Sequence, residues 1–307
     1  MKQIIIKEKK ASALVQGCMR ISVLHDDELE QLIKTDLACG INFFDHADIY
    51  GGGECEKAFG RILKKEPHLR DQMILQSKCG IHRGEQITYY DFSKDYILSC
   101  VDQSLDNLHT DHLDYLLLHR PDALMDPVEV NDAFDILYQS GKVLHFGVSN
   151  QSPAQMELMK KGVRYPLEIN QMQLSVMHTP MLDAGFNVNT MFDGAIDRDQ
   201  SVIEYCRIHD VTLQCWSPFQ YGMFEGVFLN NEKFPEVNRV IDELAAHYGV
   251  SNSSIAVAWL LRHPANMQVI LGSTNVHRMS ELVNSCDIEL TREEWYRIYT
   301  AAGNMLP

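Results

Sequence analysis

Eight short, apolar, β-branched runs recur along the 307-residue chain, and a helical pattern follows each of them. They are Leu14–Gly17, Asn42–Phe44, Met73–Ser77, Tyr115–Leu118, Val143–Val148, Leu167–Gln171, Thr212–Trp216 and Val269–Leu271. Strict alternation at this number predicts a parallel sheet covered by helices, closed into a (β/α)8 TIM barrel. An open doubly wound sheet is the alternative. No low-complexity segment or Pro/Ser-rich linker divides the chain, so residues 1–307 read as one domain, with a short N-terminal β-hairpin in "MKQIIIKEKK" and a final helix opened by "TREEW".

The intervening helices are predicted over Asp26–Cys39, Glu54–Leu63, Lys94–Leu108, Pro127–Tyr138, Pro153–Lys160, Gln200–Ile208, Val237–Tyr248 continuing at Ser254–Arg262, and His277–Asn284. Asp126-Pro127 and Ser152-Pro153 each put a capping side chain before a first-turn proline, while Gly40, Gly141 and Gly249 stand where helices stop. The long connections, Cys79–Ser93, Leu174–Asp199 and Ser217–Glu236, all follow strands. In an α/β barrel, strand-to-helix loops build the ligand-binding face.

Composition narrows the partners. A formal charge of −15 argues against nucleic acid or anionic membrane, whose phosphates it would repel. No apolar run approaches the ~20 residues that cross a bilayer, and the N-terminus lacks a signal-peptide core, which leads us to expect a cytoplasmic protein. The eight cysteines form no C-x-x-C pair and read as reduced thiols.

Polar residues collect where the strands end. Asp45 ends the second, Lys78 the third, His119 the fourth, Ser149-Asn150 the fifth, Asn170-Gln171 the sixth and Trp216-Ser217 the seventh. Neighbouring strands would bring Asp45, Lys78 and His119 to one mouth, with Tyr50 on the glycine-rich turn beside them. This set suits protonation of a carbonyl oxygen. A tyrosine, ordinarily titrating near ~10, becomes a usable acid when a cation favours its phenolate. Lys78 would supply that charge, Asp45 would hold the ammonium, and His119 would donate a hydrogen bond to the carbonyl.

With those residues in view, the chain resembles the aldo-keto reductase superfamily. "GINFFDHADIYG", "QSKCG" and "LLLHRPD" are similar to the segments carrying that family's catalytic tetrad, and "HFGVSN", "EINQMQ", "CWSPF" and "ILGSTNVHR" to its cofactor segments, in order from about Leu14 to Glu294. The resemblance implies a barrel that binds NADPH and passes hydride to an aldehyde or ketone, with no metal. Tyr50 would be the general acid, Lys78 its pKa-lowering partner, Asp45 the partner of that lysine, and His119 the residue orienting the carbonyl. Ser149, Asn150 and Gln171 would hold the carboxamide, and Trp216 would stack on the nicotinamide. Ser217, Pro218, Phe219 and Gly222, within Ser217–Phe224, would cover the pyrophosphate. Gly272, Ser273, Thr274 and Arg278 would grip the 2′-phosphate, with Glu281 near the adenine.

The chain departs from that pattern in three places. Gly272 stands where many members carry lysine, Leu282 where asparagine is frequent, and His46 where a small residue is commoner. The resemblance points to a bacterial oxidoreductase branch lacking an assigned substrate. Two other functions compete with carbonyl reduction: a cofactor-sensing module on the same barrel, and a metallo-hydrolase using Asp45, His46, His119 and Asp122.

Overall fold

The computed structural model describes residues 1–307. Strands β1 (Gln3–Ile6) and β2 (Lys9–Ser12) form an antiparallel hairpin whose Ile6 and Ala11 are buried. Its side chains reach the starts of barrel strands: Lys9 pairs with Asp114, and the Ser12 amide donates to Asn42 Oδ1 at 2.8 Å. The hairpin thus covers the N-terminal end of the barrel.

Eight parallel strands close the barrel. They are β3 (Leu14–Gly17), β4 (Phe43–Asp45), β5 (Ile74–Cys79), β8 (Leu113–Leu118), β9 (Val143–Ser149), β10 (Leu167–Gln173), β11 (Thr212–Trp216) and β12 (Met267–Leu271). They pair in the order β3-β4-β5-β8-β9-β10-β11-β12 and back to β3. All eight expected runs are strands, and closure excludes the open sheet. A second hairpin, β6 (Ile81–Arg83) with β7 (Thr88–Tyr90), stands in the loop after β5.

Around the barrel run α1 (Asp26–Ala38), α2 (Glu54–Lys65), α3 (Lys94–Leu108), α4 (Pro127–Gln139), α5 (Pro153–Met159), α6 (Pro180–Phe186), α7 (Val202–Ile208), α8 (Pro235–Tyr248), α9 (Asn252–Leu261), α10 (Val276–Leu282) and the final α11 (Arg292–Ala301). The expected caps form: Asp126 accepts from the Val128 amide, Ser152 from that of Gln155, and Thr291 with Glu294 makes a capping box. Helix α7 begins two residues later than expected. Gln200 and Ser201 both have positive φ, and the Asp197 carboxylate binds their amides, so this stretch closes as a turn.

Strand alternation also gives the barrel a polar interior column. Gln268 donates to the Ser12 carbonyl, Gln214 donates to Gln268, and Gln76 and Gln171 each donate both to Gln214 and to Asp45. All these glutamine side chains are buried. An amide donates and accepts at once, so such a column satisfies its own polar groups without water.

Candidate active site

The column ends at Asp45, on the open end of the barrel. There Lys78, fully buried, aims its ammonium at four oxygens: both carboxylate oxygens of Asp45 at 2.8 and 2.9 Å, the His46 carbonyl at 2.8 Å and Tyr50 Oη at 2.9 Å. Burial works against the charge on Lys78. Asp45 and the Tyr50 oxygen outweigh it and hold the lysine above its ordinary pKa.

The turn carrying Tyr50 explains the three glycines after it. Gly51, Gly52 and Gly53 have φ of 60°, 68° and 93°, a left-handed run that side chains other than glycine resist. It reverses the chain into α2 and sets the phenol over the strand ends. The Tyr50 ring meets the His119 imidazole edge-on, with centroids 6.0 Å apart.

The direction of the tyrosine shift differs from the expectation. Burial raises the Tyr50 pKa, Lys78 pulls it down, and the net shift is upward. Desolvation of the phenolate exceeds the help from one ammonium that Asp45 already neutralises. Tyr50 therefore rests as a protonated phenol with a cation at its oxygen, a form able to donate. His119 is pushed well below the usual histidine value, first by burial and then by Lys78 and Arg120. It is a neutral imidazole whose Nδ1 is buried without a partner.

The remaining predicted residues divide by neighbourhood. Ser149 Oγ donates to the Gln171 carbonyl at 3.0 Å, Asn150 Nδ2 to Ser149 Oγ at 2.7 Å, and Trp216 Nε1 to Asn150 Oδ1 at 3.3 Å. These four residues form one patch beside the quartet. Asn150 and Ser217 hold φ of 56° and 53°, a strained backbone for such side chains and one met often at ligand sites. The Gln171 side-chain nitrogen Nε2 is committed to Asp45 and Gln214, and its side-chain oxygen Oε1 accepts no protein hydrogen bond. An unpartnered acceptor beside a half-exposed indole fits a planar carboxamide-bearing ring.

Ser217, Pro218, Phe219 and Gly222 lie on the loop after β11, where the Gly222 carbonyl accepts from Gln173 at 3.0 Å. Phe224 on this loop stacks on Trp216 at 6.2 Å. Gly272, Ser273, Thr274 and Arg278 run from the end of β12 into α10. The Arg278 amide is capped by Asn275 Oδ1 at 3.0 Å, and its exposed guanidinium pairs with no acid. Nothing lies within 4 Å of a side chain built at Gly272, so this position is open. Glu281 is exposed on α10, whereas Leu282 is fully buried in the core and faces no ligand.

The hydrolase set does not come together. His46 is buried edge-on against Phe59 at 4.6 Å, with both ring nitrogens unpartnered and a pKa pulled down to about 3 by burial. Asp122 spends its carboxylate on the Phe92 and Leu124 amides.

Two features escaped the sequence reading. One is the pair Gln76 and Gln214, which the period-2 rule could have found because Gln76 shares its strand face with Lys78 and Gln214 with Trp216. The other is Arg120, whose guanidinium carbon lies 5.8 Å from the Trp216 ring centroid.

Fold and mouth together define an α/β barrel whose open end holds a tyrosine phenol against a buried ammonium. The chain belongs to the Aldo/keto reductase family, whose sequence profile matches residues 13–302. Oxidoreductase YdhF of Escherichia coli (strain K12) is 40% identical over 90% of this chain and 87% of its own length. The 6-dehydroglucose reductase of Agrobacterium fabrum is 32% identical over 98% of each. Among solved structures, the thermostable aldo-keto reductase Tm1743, crystallised with the inhibitor epalrestat, has a TM-score of 0.78 at 24% identity. That match covers 98% of this chain and 100% of that one, and it concerns the fold.

Proposed function

We propose that the protein reduces aldehydes or ketones to alcohols with NADPH, using Tyr50 as the general acid. The observation that carries this reading is the Lys78 ammonium bound to Asp45 and to Tyr50 Oη at the open end of the barrel.

A nicotinamide bound at this mouth supplies the hydride. The chain's own residues handle the oxygen. As the carbonyl carbon accepts the hydride pair, its oxygen gains negative charge and takes the proton from Tyr50 Oη. The phenolate left behind sits 2.9 Å from Lys78 Nζ, a position that favours the charge just when it forms. Asp45 keeps that ammonium in place, and the glutamine column keeps Asp45 in place. The neutral His119 imidazole donates an N–H to the carbonyl oxygen and orients it. A proton from solvent then restores Tyr50.

Ser149, Asn150 and Gln171 are the groups that would hold the carboxamide, Trp216 the ring, and the segment Ser217–Phe224 the pyrophosphate. Ser273, Thr274 and Arg278 would meet the 2′-phosphate, and Glu281 the adenine. Acyclic aldehydes, ketones and 6-dehydroglucose make a first substrate panel, the last because of the relative that carries its name.

The test is Tyr50→Phe. Loss of the proton donor should lower kcat roughly 10²- to 10⁴-fold while NADPH affinity, read by fluorescence titration, changes little. A Tyr50→Phe enzyme of near wild-type kcat removes Tyr50 from the acid role. Tight NADPH binding with no carbonyl turnover in the wild type would instead favour a cofactor sensor.

A further inference from the structure

Arg120 follows His119 directly, where the chain leaves β8 for the mouth, yet nothing in the chemistry above uses it. Its guanidinium is partly buried, faces the Trp216 ring, and has the Tyr50 and Tyr90 phenols as neighbours. Burial pulls its pKa below the ordinary arginine value, and no carboxylate compensates. Two acids close to this stretch are spent elsewhere: Asp122, two residues on, and Asp91, which precedes the Phe92 amide that Asp122 binds. Asp122 accepts from the Phe92 and Leu124 amides at 2.9 and 2.8 Å, and Asp91 from the Ser93 amide at 2.9 Å.

A partly desolvated guanidinium without an acid or a hydrogen-bond acceptor is an incomplete arrangement, because arginines removed from water are normally paired. Its planar fork matches the two oxygens of a carboxylate or phosphate. The whole chain carries −15 and would repel an anion, so one local cation at the mouth decides whether an anionic substrate can enter.

We propose that Arg120 binds an anionic oxygen group, a carboxylate or phosphate, on the carbonyl substrate. The class is therefore oxo-acids or oxo-phosphates. Arg120 acts electrostatically on His119 and lies against the Trp216 ring, so the anion-holding and carbonyl-orienting groups open onto the same mouth. The Trp216 ring, 5.8 Å from the guanidinium carbon, is the apolar surface beside this ion pair. This inference deepens the reductase reading above and rests on it for turnover, though not for binding.

The experiment compares wild type, Arg120→Met and Arg120→Lys at saturating NADPH. The substrates are succinic semialdehyde, glyceraldehyde 3-phosphate, butanal and glyceraldehyde. The ratio of kcat/KM for the anionic over the neutral aldehydes should exceed one in the wild type. It should fall roughly 10- to 100-fold in Arg120→Met, mainly through KM, and recover in part in Arg120→Lys. Which anionic substrate shows the larger fall tells carboxylate from phosphate. A ratio unchanged by Arg120→Met, or neutral substrates preferred by the wild type, overturns the assignment. Calorimetric titration of succinate and inorganic phosphate into the NADP⁺-loaded protein provides a readout without turnover. Binding by the wild type that Arg120→Met loses supports the anion site even if no aldehyde is reduced, and no binding by the wild type overturns it. Absence of all turnover would count against the reductase reading alone.

Discussion

At the scale of single residues, the four strand-end and turn positions read from sequence lie together because each closes a short path on the same ammonium or ring. What the sequence could not give was the balance of opposing effects at Tyr50, where burial and a nearby cation pull in opposite directions. Arg278 poses a similar question. With Gly272 open and carrying no charge, Arg278 is the cation left on this segment for a 2′-phosphate. Arg278→Ala should weaken NADPH roughly tenfold or more and leave NADH nearly unaffected, measured as two dissociation constants. Equal weakening would move the phosphate contact elsewhere. A Cβ at position 272 meets nothing within 4 Å, which makes Gly272→Lys a matching gain-of-affinity control.

At the scale of elements, α2, which follows directly on the Tyr50 turn, packs against α3 at a very close backbone approach. A Cβ at Gly60 would lie 1.9 Å from the Asn107 carbonyl of α3, where rigid backbone cannot give way. Gly60→Ala should cost about 3 kcal/mol or more in urea denaturation. It should also lower activity, because Asn107 and Ser77 both hold Glu56 of α2, and Ser77 precedes Lys78. A stability near wild type would mean that α2 can shift without loss. The regular elements were legible because caps, glycines and periodicity agree along each of them; Gly40, Gly141 and Gly249 do have positive φ at helix ends. Helix α6 and the β6–β7 hairpin were not. Helix α6 has seven residues and no side-chain cap at its start, unlike α5, and the hairpin has only three residues per strand; tertiary contacts such as Tyr299 Oη on Asp183 and Tyr96 Oη on the Ile81 carbonyl hold them. Arg120 was hidden for another reason: an arginine after a strand ordinarily points to water, and only closure of the barrel sets it against Trp216.

At the scale of the whole molecule, two buried groups shape stability against pH. Asp36 on α1 has both carboxylate oxygens buried without partners, and burial raises it from 3.8 to about 8. His46 falls from 6.5 to about 3. Between those limits the folded state holds the extra proton at Asp36, which makes stability fall as pH rises. The unfolded state holds the extra proton at His46, which makes stability rise with pH up to about 6.5. The two oppose each other through the acidic range. Above it the histidine contribution fades and Asp36 dominates, joined up to about pH 7 by Asp48, which burial raises from 3.8 to about 7; each group contributes a slope approaching ~1.4 kcal/mol per pH unit. Asp36→Asn should remove most of the loss seen between pH 6.5 and 8 in chemical denaturation. A loss unchanged by Asp36→Asn would assign it to another group. No helix is long and apolar enough to cross a membrane.

The glutamine column has a bearing on how such a barrel can change over generations. Asp45, Tyr50, Lys78 and His119 all come from the first half of the chain, but Gln171, Gln214 and Gln268, which lead to Asp45, come from the second. A half-barrel carrying every reacting group would still leave its aspartate short of donors. Recombination by exchange of halves can therefore keep the chemistry only when the incoming half presents amides at those three strand positions, a heritable compatibility code written inside the barrel and out of reach of substrate.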